Sequence, residues 1–196
     1  MFELKCNATK VVIVLHEIYG VNDHIKSYAN FFAGMGYVVV CPNLLQDGLV
    51  FSYENEQQAY DNFMEYVGFK EAASQIKTLI NELQLQYSEI IIVGFSIGAT
   101  IAWLCSEEAG IQQIIGYYGS RIRNYLEIEP QCPVTLFYGK SEKSFDVANV
   151  IECLHNKEVQ AFVFDGEHGF ADAHSAKYNA LSSDETFNHV RRILYR

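Results

Sequence analysis

The stretch Glu89–Glu108, EIIIVGFSIGATIAWLCSEE, constrains this chain more than any other. Ile90–Val93 is a short, uninterrupted β-branched run, the pattern of a strand buried on both faces. A helical pattern starts at Ile97. Between them, Gly94-Phe95-Ser96-Ile97-Gly98 has the Gly-x-Ser-x-Gly spacing of a nucleophile elbow. A turn this tight forces Ser96 into a strained backbone conformation, and small residues at 94 and 98 let strand and helix close around it. The hydroxyl then projects above the sheet, and the first amides of the helix point at any negative charge forming beside it.

The rest of the chain supplies a matching framework. Val11–Leu15 and Tyr37–Cys41 are further continuous β-branched runs, and between them Asn22 or Asp23 can cap a helix carrying Ile25, Tyr28, Phe31 and Phe32, ended by Gly34 and Gly36. Phe69–Leu83 is spaced for one apolar helical face. The pattern predicts strands at Ile90–Val93, Gln113–Tyr117, Val134–Tyr138 and Gln160–Phe164. It predicts helices at Ile97–Glu108, Val147–His155 and near Asp184–Leu194. Gln46–Gly68 is less regular, with one helix expected around Glu56–Tyr66. Alternating strands and helices predict an α/β fold: a mostly parallel sheet with helices on both faces. The 196 residues suit one domain, 1–196, with no repeat or linker.

Ligands of such sheets bind beyond the carboxyl ends of the strands. A serine hydroxyl is a weak nucleophile that needs a base, and the base needs an acid to orient it. Of six histidines, His168 in FDGEHGFADAH follows both the serine and a strand, which makes it the expected base, with His174 as the alternative. His16 precedes the serine. His24, His155 and His189 fall in helical segments and are expected on the surface. The acid should lie behind strand Val134–Tyr138, where Glu142 and Asp146 both qualify. Glu142 is favoured because Asp146 can instead cap the helix that begins at Val147.

The net charge is −10, from 24 acidic against 14 basic residues, and no basic run exceeds Arg191-Arg192. That balance argues against nucleic acid and anionic membranes as partners. No segment is long and apolar enough to span a bilayer, and the N-terminus lacks the pattern of a signal peptide, so a cytoplasmic location is expected. The five cysteines, Cys6, Cys41, Cys105, Cys132 and Cys153, are widely spaced, without a zinc-site or disulfide pattern. They are expected to be mostly small buried residues. No metal or organic cofactor is expected, and the oligomeric state is left open.

The chain resembles the dienelactone hydrolases, small single-domain members of the α/β-hydrolase fold without a large cap. The matching stretches are VVIVLHEIYGVNDHIKSYANFFAGMGYVVVCPNLL, VGFSIGATIAWL, IIGYYG and GEHGFAD. The resemblance implies Ser96 as nucleophile, His168 as base and Glu142 as acid, where the family typically has aspartate. It also implies an oxyanion hole built from the backbone amides of Ile97 and Ile18. Glu17 matches a family glutamate that contacts the nucleophile; a purely structural carboxylate held by backbone amides is the alternative. Tyr60 matches a family tyrosine at the pocket.

Two departures stand out. The family's nucleophile is usually cysteine, and a serine cannot ionise near neutral pH as a thiol can, so activation falls on His168. The two arginines that hold the substrate carboxylate in dienelactone-cleaving members would fall at Glu56 and Asp172, which here are acids. These either line the pocket, implying a substrate that is not anionic, or are solvated surface groups. The sequence therefore implies a serine hydrolase (esterase) acting on a small ester, thioester or lactone. An amidase or peptidase using the same groups, or a non-catalytic small-molecule-binding protein on the same fold, are the alternatives.

Overall fold

The computed structural model describes residues 1–4 and 8–195. Seven strands form one sheet: β1 (Phe2–Leu4), β2 (Lys10–Leu15), β3 (Val38–Cys41), β4 (Glu89–Phe95), β5 (Ile111–Tyr117), β6 (Val134–Gly139) and β7 (Val159–Phe164). The spatial order is β1-β3-β2-β4-β5-β6-β7, with β1 antiparallel to β3 and every other pairing parallel. Six α-helices cover it: α1 (Asp23–Gly34), α2 (Glu56–Tyr66), α3 (Gly68–Gln84), α4 (Ile97–Leu104), α5 (Val147–Leu154) and α6 (Ala180–Leu194). Among the described residues, no helix is long and apolar enough to cross a membrane.

The unbroken apolar runs of the central strands follow from having two covered faces. Side chains alternate across a strand, so Val11, Ile13 and Leu15 of β2 enter one core with α3, α4 and α5. Val12 and Val14 enter the other core with α1 and α6. β4 divides in the same way, Ile90 and Ile92 on one side and Ile91, Val93 and Phe95 on the other. β7, at the sheet edge, is half exposed along most of its length.

The expected elements are present, with three differences. β1 is a three-residue edge strand, too short to carry a periodic signal of its own. α4 stops at Leu104, not Glu108. The Cys105 amide is shared between the carbonyls of Ile101 and Ala102, and the chain turns through Gly110 (φ +83°) back into β5. α6 begins at Ala180, one turn before the expected start, because the Asn179 side chain accepts a hydrogen bond from the Ser182 amide. Asn22 likewise caps α1 by accepting from Ile25 N–H.

Cys41, Cys105 and Cys132 are buried and free, as expected of small apolar residues, whereas Cys153 is exposed on α5. Cys6 lies outside the described residues.

Candidate active site

The elbow at Ser96 is built by close approach. A Cβ on Gly94 would sit 2.3 Å from the Gly98 carbonyl oxygen, and one on Gly98 would sit 2.4 Å from the Leu15 carbonyl oxygen. Any larger side chain at either position would force β4, α4 and β2 apart. Ser96 has φ +52° and ψ −110°, a conformation that costs a non-glycine residue of order 1–3 kcal/mol. Its backbone is anchored on both sides: its N–H donates to the Tyr117 carbonyl at 2.9 Å, and its carbonyl accepts from Thr100 N–H at 3.2 Å. Strain held by this much surrounding structure, at the carboxyl end of a central strand, marks a functional position rather than an arbitrary turn.

The loops after β6 and β7 are stitched together. Lys140 N–H donates to the Phe164 carbonyl at 2.8 Å and Ser141 N–H to the Gly166 carbonyl at 2.9 Å. Glu142 and His168 are thereby brought side by side, although 26 residues separate them. Ser96 Oγ lies 2.9 Å from His168 Nε2, and His168 Nδ1 lies 3.0 and 3.2 Å from the two oxygens of Glu142. The Glu142 side chain is 1% exposed and that of His168 33%. A carboxylate on Nδ1 keeps the proton on that nitrogen and leaves the Nε2 lone pair facing the hydroxyl. Of the two acids the sequence leaves open, Asp146 instead caps α5, accepting from Ala148 N–H at 3.0 Å and Asn149 N–H at 3.4 Å. His174 is exposed, and only its backbone N–H takes part here, donating to Asp172 Oδ1 at 2.8 Å.

These groups open on a cavity of about 400 Å³ whose walls include Ile18, Ile97, Glu17, Glu56, Tyr60 and Asp172. The Ile97 amide is the first of α4 and has no partner within its own helix. Ile18 follows β2 in a segment pinned by His16. His16 Nε2 accepts from Leu44 N–H at 2.8 Å, so Nδ1 carries the proton and donates to the Glu17 carbonyl at 2.5 Å. Burial lowers the pKa of His16 to about 4, which keeps this neutral tautomer in place. His16 thus ties the loop after β2 to the loop after β3.

The candidate acids Glu17, Glu56 and Asp172 all line the cavity, in different settings. Asp172 is not a solvated surface group: it is 1% exposed and accepts from Tyr53 Oη at 2.5 Å. Glu56 is exposed at the cavity wall. Glu17 is buried, and burial, reinforced by the nearby Asp172 carboxylate, pushes its pKa up to about 7. His24, expected on the surface, is 1% exposed, with Nδ1 3.5 Å from Asp172 Oδ1, and burial holds its pKa down to about 4. The ring packs between Tyr28 and Phe95, which explains how a helical histidine comes to face inward. His189 is half-buried, its ring 4.4 Å from that of Phe162, whereas His155 is exposed. The donor atoms of Glu17, His24 and Asp172 lie within 4.8 Å of one another, close enough to hold a metal ion. Both oxygens of Asp172 are already engaged by Tyr53 and the His174 amide, which favours a hydrogen-bonded cluster there.

Sequence reasoning missed Tyr19, Tyr53, Arg121 and Arg123, all of which line the cavity. The two arginines come directly after the GYYG segment, in the 3₁₀ turn Ser120–Asn124. Their position just behind a strand end is the one signal that could have found them.

The family model for the dienelactone hydrolase family matches residues 2–196, and the chain belongs to this family of the α/β-hydrolase fold. The YczH protein of Bacillus subtilis is 40% identical over 184 residues, covering 92% of this chain and 90% of its own. The carboxymethylenebutenolidase of Pseudomonas putida is 25% identical over 129 residues, 62% of this chain and 55% of that protein. Among solved structures, a candidate dienelactone hydrolase from Klebsiella pneumoniae superposes with a TM-score of 0.81 at 17% identity, covering 98% of this chain and 89% of the other. Family membership makes the chain a hydrolase.

Proposed function

We propose that this protein is a serine hydrolase that cleaves a small ester, thioester or lactone through an acyl-serine intermediate. The observation that carries this reading is the continuous hydrogen-bonded line from Ser96 Oγ through His168 to Glu142, with contacts of 2.9 and 3.0 Å, behind a strained serine. Ser96 Oγ attacks the carbonyl carbon while its proton passes to His168 Nε2. Glu142 orients the ring and stabilises the imidazolium. The tetrahedral oxyanion is received by the amides of Ile97 and Ile18. As it collapses, the bond to the leaving group breaks and His168 returns the proton to that group. His168 then takes a proton from water, the hydroxide attacks the acyl-serine, and Ser96 recovers its hydrogen as the acid departs.

Among the described residues, four cysteines are free, which suits a reducing compartment. His168 can return its proton to an alcohol, thiol or amine leaving group, and an amide depends on that proton more than an ester does because its nitrogen must leave protonated; matched ester and amide substrates separate the two.

The reading is tested with a fluorophosphonate probe and mapping of the labelled residue by mass spectrometry. Label on Ser96 that is lost in Ser96→Ala and His168→Ala is the expected result. Folded protein with an accessible pocket and no label at Ser96 would overturn it.

A further inference from the structure

The expectation of a non-anionic substrate rests on acids standing at 56 and 172, yet the fold delivers two arginines to the same cavity from elsewhere in the chain. We propose that Arg121 and Arg123 form an anion-binding subsite, and that the substrate carries a carboxylate or phosphate beside the bond that is cleaved. This inference deepens the serine-hydrolase reading and rests on it.

The two arginines stand on the far side of the nucleophile strand from Glu17, on the same side as Glu142, which is engaged by His168, and Glu167, which is engaged by Lys143. Glu17 follows β2, and Asp172, although it comes from the loop after β7, is folded back against Tyr53 and against His24 at the start of α1. Arg121 and Arg123 follow β5 and Lys143 follows β6, on the opposite side of β4 in the sheet. The arginines are held in place by neutral groups. Arg121 Nη2 donates to Tyr60 Oη at 2.5 Å, and its guanidinium lies 5.9 Å from the centre of that ring. Arg123 Nη1 donates to the Ser120 carbonyl, and its guanidinium lies 5.4 Å from the Phe145 ring.

Among the described residues, neither arginine is ion-paired, whereas Lys143 is held by Glu167 at 2.9 Å. In a chain of net charge −10, two adjacent half-buried guanidiniums without a carboxylate partner are an unusual concentration of like charge. Burial and then the charge of Arg121 lower the pKa of Arg123, against a smaller opposing effect of Tyr60 and of the Glu142 carboxylate, which forms no ion pair with it. Each guanidinium has further N–H donors beyond those used, in the planar fork that fits carboxylate and phosphate oxygens. Tyr60, which the family resemblance puts at the pocket, orients Arg121 through its hydroxyl.

The test is a set of nitrophenyl esters with acyl chains of equal length ending in a carboxylate, a phosphate, a methyl ester or a trimethylammonium group. A second set carries the same groups on the alcohol side. The expected result is a kcat/KM for an anionic member of one set that exceeds its neutral counterpart roughly ten- to a hundredfold, the scale of a charge-assisted contact. The carboxylate and phosphate arms tell which anion fits. The ratio of anionic to neutral kcat/KM, which cancels any loss of folded protein, should fall toward one in Arg121→Gln and Arg123→Gln and be partly kept in Arg123→Lys. A wild-type ratio of one or below in both sets, or a ratio unmoved in both Gln variants, overturns the proposal.

Failure of the hydrolase reading is separately visible, as absence of probe label on Ser96 and of turnover for every ester. In that case calorimetric titration with glutarate, and with its neutral diamide, decides the matter. Binding of the dianion that is lost in Arg123→Gln supports the subsite, and absence of binding overturns it.

Discussion

Among the described residues, two buried carboxylates each lie beside a histidine, and the contrast between the pairs explains much of the site. Glu142 and Asp172 are equally sealed, each side chain 1% exposed. Their histidines are not: the His168 side chain is 33% exposed and that of His24 2%. His168 has the Ser96 hydroxyl on its second nitrogen, whereas Nε2 of His24 is buried with no hydrogen-bond partner. Burial drives the pKa of His24 down to about 4 and keeps it neutral. The same two functional groups thus line up with a serine hydroxyl where one imidazole face is open, the arrangement the proposed mechanism uses as a relay, and make a closed contact where both faces are buried. Residue type specifies the pair; solvent access determines whether it can take up a proton.

The largest expected effect breaks the open pair. Ser96→Ala and His168→Ala should each lower kcat by roughly ten-thousand-fold or more in ester-hydrolysis assays, with circular dichroism unchanged. Glu142→Gln keeps the volume but loses the charge that fixes the ring, and a loss of roughly a hundred- to ten-thousand-fold is expected in kcat. The counterpart in the closed pair is His24→Leu. Its effect should fall on stability, with a drop of about 1–3 kcal/mol in denaturant titration and no comparable fall in kcat. A large loss of turnover in His24→Leu with stability intact would erase the distinction between the pairs.

A pH series sharpens the contrast further. The folded-state pKa of Glu17 is raised to about 7, so the folded state holds a proton that the unfolded state releases, and stability from this group is lost as pH rises toward 7. His16 and His24 are lowered to about 4, so the unfolded state takes up protons that the folded state refuses, and stability from these groups rises as pH climbs from 4 to 6.5. Two histidines outweigh one glutamate. The net change should be a gain of stability, on the order of 1 kcal/mol per pH unit, between roughly pH 4.5 and 6.5. Glu17→Gln removes the opposing group and should steepen the rise about twofold, read as Tm against pH. An unchanged slope would show that Glu17 is ionised in the folded protein. The smallest effect belongs to Asp146, the acid that capping withdraws from the site: Asp146→Ala should cost about 1 kcal/mol of stability and leave kcat within about twofold.

The alternation of strand and helix, the elbow, and the meeting of His168 and Glu142 behind Ser96 are all legible in the sequence. Each of these signals is local: a β-branched run, a glycine spacing, an acid close behind a strand end, a capping residue at Asp146 that removes a competitor. The burial of His24 and Asp172 is not legible there. A histidine near the start of a helix faces solvent or core according to the side chains that pack on that helix, and here Phe95 and Tyr28 enclose it. The family resemblance puts two substrate-binding arginines near Glu56 and at Asp172, where this chain has acids, and from that the sequence implied a substrate that is not anionic. Arg121 and Arg123, 65 residues or more from Glu56 in the chain, nonetheless stand at the cavity wall.

By itself, then, the sequence determined the order of elements, the strained serine and the identity of the groups in line with it, because these depend on backbone conformation and on the residues just behind each strand end. Only the tertiary structure decided which charges face one another across the cavity and which histidine can gain a proton. Those outcomes depend on distance and solvent exclusion between segments far apart in the chain, and no local pattern of residues encodes either.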